Sequence, residues 1–168
     1  PIIFNDTNLN PVDVVSLSNT INNIQDGSTQ TIIGWGIADI GEFFSQGFSW
    51  MGNAGCGTKN GIKEFQENWQ KPFQAAFSEK VCIDEARLYM GEWAAAFGRQ
   101  EAIHSGLFMG VEATRKKIQI RYMDFWKVEN GKITDNWVMV DFPHVLAQLG
   151  IDVFNGHGWE AFDNGTKT

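Results

Sequence analysis

Apolar and polar residues alternate most regularly between Lys117 and Gly150. Ile118, Ile120, Tyr122, Asp124, Trp126 and Val128 share one parity, and therefore one face of a strand. A second strand begins after Asn130-Gly131, residue types that suit the two positive φ angles of a type I′ turn. Pairing outward from this turn sets Glu129 against Lys132, Asp124 against Trp137, Tyr122 against Met139 and Ile120 against Asp141. One extra residue in the second strand would bring Asn136 to the face of Asp124 and turn Trp137 away, so both stay candidates.

Upstream, residues 81–90 and 93–108 read as two further strands turning at Met90-Gly91-Glu92, and Gly98, Gly106 and Gly110 suggest a strong bend. A short strand over 48–51 enters the glycine-rich passage 52–61, which reads as a tight turn before a helix. Helical spacing marks three segments on the N-terminal side. They are Val14, Val15, Leu17, Ile21 and Ile24 behind Pro11; Ile37, Ile40, Phe43 and Phe44, running toward Gln46-Gly47; and Ile62, Phe65, Trp69, Phe73, Ala76 and Phe77. Pro72 should kink or end the third of these. A last helix opens at Asp141-Phe142-Pro143-His144, with Asp141 as N-cap, and closes at Gly150. The expected fold is α+β: one domain over 1–168, with a curved antiparallel sheet wrapping about three N-terminal helices and a short C-terminal helix. Residues 1–10 and 156–168 are expected as peripheral arms, the second anchored by Trp159 and Phe162.

Seven Trp, thirteen Phe and eighteen Gly in 168 residues point to large side chains lining a curved sheet, and so to a cavity. A net charge of −7 argues against nucleic acid and anionic membrane as partners. Thr58-Lys59 stand in the wrong order for a phosphate loop. Cys56 and Cys82 lack metal-ligand spacing and read as free thiols, with the cytoplasm the expected location, although a chain opening on Pro1 can have lost its natural start. His104, His144 and His157 are too scattered for a metal site, and no Gly-X-Ser-X-Gly elbow occurs.

The candidate chemistry rests on Asp124, a lone carboxylate in an apolar row. It must find a partner, stay wet in a cavity, or take up a proton. A packing role and a site role both follow from that position. His104 falls on a strand face of small residues, where it is either a satisfied structural histidine or a polar group facing a ligand.

Several pieces together resemble the SnoaL-like polyketide cyclases of the nuclear-transport-factor-2-like superfamily, over about residues 37–154. They are 50–58 (WMGNAGCGT), Gly61, 70–73 (QKPF), 104–106 (HSG), Gly110, 121–126 (RYMDFW), 131–133 (GKI), 136–138 (NWV), Asp141 and 148–152 (QLGID). The resemblance implies a cone-shaped sheet around an apolar pocket and a homodimer packed through the sheet's outer face. It also implies intramolecular aldol condensation of a polyketide ester, by an acid/base aspartate and without metal or organic cofactor. Ungapped alignment puts Val138 where the cyclases carry that aspartate, with Asp135 and Asp141 three positions to either side. Asp124 falls where they place a pocket histidine, and many relatives have His where this chain has Trp69.

Two functions follow. In the first, Asp124 is the acid/base of a cofactor-free enzyme, helped by His104 and Asp141, while Tyr122 and Asn136 orient substrate or stabilise an enolate oxygen. In the second, the domain binds a hydrophobic or aromatic molecule among Trp50, Phe73, Phe108, Trp126 and Trp137 without chemistry.

Overall fold

The alternating segments pair into one sheet in the computed structural model, which describes residues 2–5 and 43–163. The strands are β1 (Ile2–Asn5), β2 (Phe44–Gly52), β3 (Thr58–Asn60), β4 (Phe77–Met90), β5 (Trp93–His104), β6 (Lys117–Glu129) and β7 (Lys132–Val140). Their order across the sheet is β1-β4-β5-β6-β7-β2-β3. β4 to β7 form the expected antiparallel meander, while β2 runs parallel to β7 and β1 parallel to β4. The helix expected behind Pro11 and the start of the one marked by Ile37 and Ile40 lie outside the described residues. The far end of that second helix is overturned: Phe44–Gly52 is a strand, whose buried Phe44, Phe48 and Trp50 face the core. Phe44 and Phe48 are four apart and suit a helix or a kinked strand alike, and here the register breaks between Phe44 and Ser49.

The hairpin turns as expected, with φ of 51° at Asn130 and 74° at Gly131. Its register does not hold. Glu129 faces Lys132 and Val128 faces Ile133, but Thr134 is then bulged out and Lys127 faces Asp135. Beyond that bulge Trp126 pairs with Asn136, Asp124 with Val138 and Tyr122 with Val140, not with Trp137 or Met139 as simple counting gives, and Ile120 has no partner at Asp141. Parity explains why the bulge is favoured. It buries Asn136, Val138 and Val140 on the core face with Ile133 and leaves Trp137 and Met139 outside.

β4 carries two comparable irregularities. Ser78 pairs with Ile103 and Val81 with Glu101, so one residue is extra, and Glu79 takes a φ of 51° there. A second shift falls between Asp84 and Ala86, where Gly98 on β5 meets Tyr122 on its other side. A Cβ on Gly98 would lie 2.1 Å from the Ile83 carbonyl oxygen, so only glycine permits this approach.

Inside the sheet runs one helical stretch: α1 (Gly61–Phe65), a π turn over Gln66–Gln70, and α2 (Lys71–Ala76). Pro72 therefore neither ends nor breaks the helix. It sits in the first turn of α2, and the wide π turn before it accommodates the missing N–H and the ring. α3 (Phe142–Leu149) is capped by Asp141 and closed by Gly150 at φ 97°, as its sequence signals require. The last short helix is α4 (Glu160–Asp163), where Trp159 and Phe162 are 71% and 79% exposed with their ring centres 5.1 Å apart. Among the described residues no helix is long and apolar enough to cross a membrane.

Candidate active-site cavity

Between the helical stretch and the concave face of the sheet lies a cavity of about 160 Å³. Its roof repeats every fourth residue: Phe65, Trp69 and Phe73 point down from one side of the helix. Trp69 stacks between Trp50 (4.6 Å) and Phe73 (5.0 Å), so the roof is tied to β2. The floor is the β6–β7 pair, contributing Tyr122, Asp124, Trp126, Asn136 and Val138. β4 and β5 close one end with Lys80, Cys82 and Gln100.

Asp124 keeps partial access to the cavity while protein encloses its charge. Burial, and then the nearby negative charge of Asp84, push its carboxyl up to about 7, against the hydrogen bond that Asn136 donates to Oδ1 at 3.2 Å. The second Asn136 amide hydrogen goes to the Phe125 carbonyl at 3.3 Å. Tyr122 donates its hydroxyl to Asp84, which also accepts from Arg87 Nε at 2.6 Å. Burial, followed by this bond, raises the Tyr122 pKa. Tyr122 and Asn136 thus have their protons committed to the protein, and hold the floor around Asp124 rather than offering donors to a ligand.

Of the residues singled out in the sequence, the cavity gathers Trp50, Phe73, Tyr122, Asp124, Trp126 and Asn136. His104 lies elsewhere. It is fully buried at the end of β5, where Nδ1 accepts from the Thr114 amide at 3.2 Å and lies 3.0 Å from the Thr114 hydroxyl. Burial lowers its pKa, with the Gly106 backbone opposing. Asp141 is a cap: Oδ1 accepts from the His144 amide at 3.1 Å, and Oδ2 lies 3.8 Å from Arg121 Nη1. Phe108 packs against Phe77 and Phe142 and borders a separate crevice with Cys56 and Leu107. Trp137 is 53% exposed on the opposite face of the sheet, because the Thr134 bulge turned it out.

Sequence reasoning missed Lys80. The extra residue at Glu79 reverses the parity of β4, bringing Lys80, Cys82 and Asp84 inward and turning Val81 out at 49% exposure. Lys80 is only 8% exposed, and its ammonium lies 5.4 Å over the Phe73 ring. Burial lowers its pKa, slightly opposed by Cys82. Gln100 was missed too, and its Nε2 lies 3.1 Å from Cys82 Sγ. Among the described residues no group of three or more His, Cys, Asp or Glu side chains could hold a metal ion.

The profile of the SnoaL-like polyketide cyclase family matches residues 30–149. Solved structures give the same fold. A candidate SnoaL-like polyketide cyclase from Jannaschia sp. CCS1 superposes with a TM-score of 0.72 at 15% identity, over 86% of this chain and 97% of that one. A candidate polyketide cyclase from Bacillus cereus ATCC 10987 does so with 0.68 at 18%, over 89% and 90%. IdmH from Streptomyces antibioticus, also a candidate cyclase, gives 0.64 at 20%, over 80% and 98%. No curated protein matches the sequence.

Proposed function

The chain belongs to the SnoaL-like polyketide cyclase family, and on that footing we propose that it catalyses proton transfer at a carbonyl or ester substrate, in an aldol-type cyclisation, with Asp124 as acid and base. The observation that carries this reading is the carboxyl of Asp124, raised to about 7 inside an aromatic cavity. Near neutral pH such a group is divided between both protonation states, so it can remove a proton from the carbon beside a carbonyl and return it to the new alkoxide. Tyr122, Asp84 and Arg87 form one chain of hydrogen bonds beside it, and Asn136 fixes its orientation. These are positioning residues. No step of this scheme draws on a metal or organic cofactor.

The homodimer that the family resemblance implies has support from the outer face of the sheet. Trp93, Phe97, Phe125, Trp137 and Met139 are each at least 37% exposed there and form an apolar patch suited to a second copy.

Acetophenone tests the chemistry, because its single ring matches the cavity in size. In D₂O near neutral pH, NMR should show wild-type protein accelerating exchange of the methyl protons, and Asp124→Asn should lose about a hundredfold or more of that rate. Equal rates for the two proteins would remove the acid/base assignment and leave a binding protein.

A further inference from the structure

We infer that the ligand of this cavity carries an acidic oxygen, and that Lys80 is its counter-ion. The inference rests on reading the cavity as a small-molecule site, and it adds the charge of the molecule bound there.

The backbone supplies the first observation. A strand of unbroken parity would present Val81 to the cavity and Lys80 to water, the arrangement hydrophobicity favours. Instead β4 takes an extra residue, with Glu79 in the left-handed region, and this directs the lysine inward. A non-glycine residue in that conformation is held by its surroundings at some cost, and such positions cluster at sites.

The second observation is the state of the side chain. Lys80 is more than nine-tenths buried, and among the described residues no carboxylate or hydrogen-bond acceptor meets its ammonium. Its ammonium lies over the Phe73 face at 5.4 Å. A buried cation with so little compensation is costly, and an anion entering the cavity supplies a counter-charge that the described residues do not. The rest of the lining fits a ligand that is apolar apart from one charged end. Aromatic rings make up the roof, and the Tyr122 and Asn136 protons are already engaged.

Asp124 sets the polarity. Protonated, it tolerates an anion in the same cavity, and ionised, it repels one. The ligand's acidic oxygen therefore lies at the Lys80 end, above β4, and its apolar body reaches along Phe73 and Trp69 toward the β6–β7 floor. Asp84, engaged by Arg87 and Tyr122, and Cys82 are the other titratable groups on this side.

Benzoate and benzamide are nearly the same shape and differ in charge, and one ring suits a cavity of about 160 Å³. Binding is followed through the fluorescence of Trp50, Trp69 and Trp126, at about pH 6, where benzoate is ionised and Asp124 largely neutral. The expected result is benzoate binding roughly tenfold more tightly than benzamide, with Lys80→Met abolishing the preference. Equal affinities in the wild type, or a preference that survives Lys80→Met, would overturn the assignment while leaving the cavity a binding site. If neither compound bound, the small-molecule reading would fall and this inference with it. The wild-type comparison needs no variant to fold.

Discussion

Asp124 and Val138 face each other directly across β6 and β7, on the floor of the cavity. The resemblance implies the cyclases' aspartate at position 138, so the acid/base role proposed for Asp124 would sit one strand away from it, on the same face and at the same height. A carboxylate introduced at 138 would share the site with Asp124, and two like charges so close cannot both ionise cheaply. In Val138→Asp the pair should titrate in two steps, with the upper apparent pKa at least about one unit above that of wild-type Asp124. Carboxyl NMR measures both steps. Combining it with Asp124→Asn should restore part of the exchange activity lost in the single variant.

Stability should carry the signature of Asp124 as well. Its folded pKa of about 7 lies above the ordinary value of 3.8, so the native state binds the proton more tightly than the unfolded chain does. Its contribution is therefore complete below the unfolded value and is lost as pH rises toward about 7. Relative to Asp124→Asn, wild-type stability should fall across that interval by up to about 4 kcal/mol, in urea titrations at a series of pH values. Parallel curves for the two proteins would mean that the carboxylate is solvated.

Gly98→Ala should cost about 2–4 kcal/mol, because the added methyl meets backbone and not a movable side chain. Pushing β4 away also displaces Asp84, so the Tyr122 hydrogen bond should weaken and the Asp124 pKa should shift with it. Unfolding curves and the carboxyl titration read the two effects separately.

Trp137→Lys and Phe125→Lys place charges on the outer face, away from the cavity. Sedimentation velocity should show the wild type as a dimer and the double variant as a monomer. Benzamide affinity should be unchanged, since neither residue borders the main cavity.

What could be read from the sequence was local chemistry. Asn130-Gly131 and Asp141-Phe-Pro each specify their structure within a few residues, and Asp124 declares itself by standing in an apolar row. What could not be read was the relative register of long strands. Asn136 and Trp137 are adjacent, and only the bulge at Thr134, favoured by burial of the whole strand, decides which one faces Asp124. His104 was placed on the right strand, but it is the last residue of β5. The chain then leaves the sheet, with the Ser105 and Gly106 amides bonded to the Ala76 carbonyl at 2.9 and 3.0 Å. Lys80 drew no notice, because nothing near it in sequence announces the bulge.

The extra residues at Glu79 and Thr134 each decide what their strand shows the cavity. Deleting either codon would leave every other amino acid unchanged and still replace the lining wholesale, exchanging lysine for valine on β4 or asparagine for tryptophan on β7. In a sheet of this kind a new binding specificity lies one small deletion away, and an alignment that scores substitutions alone would register it only as a gap.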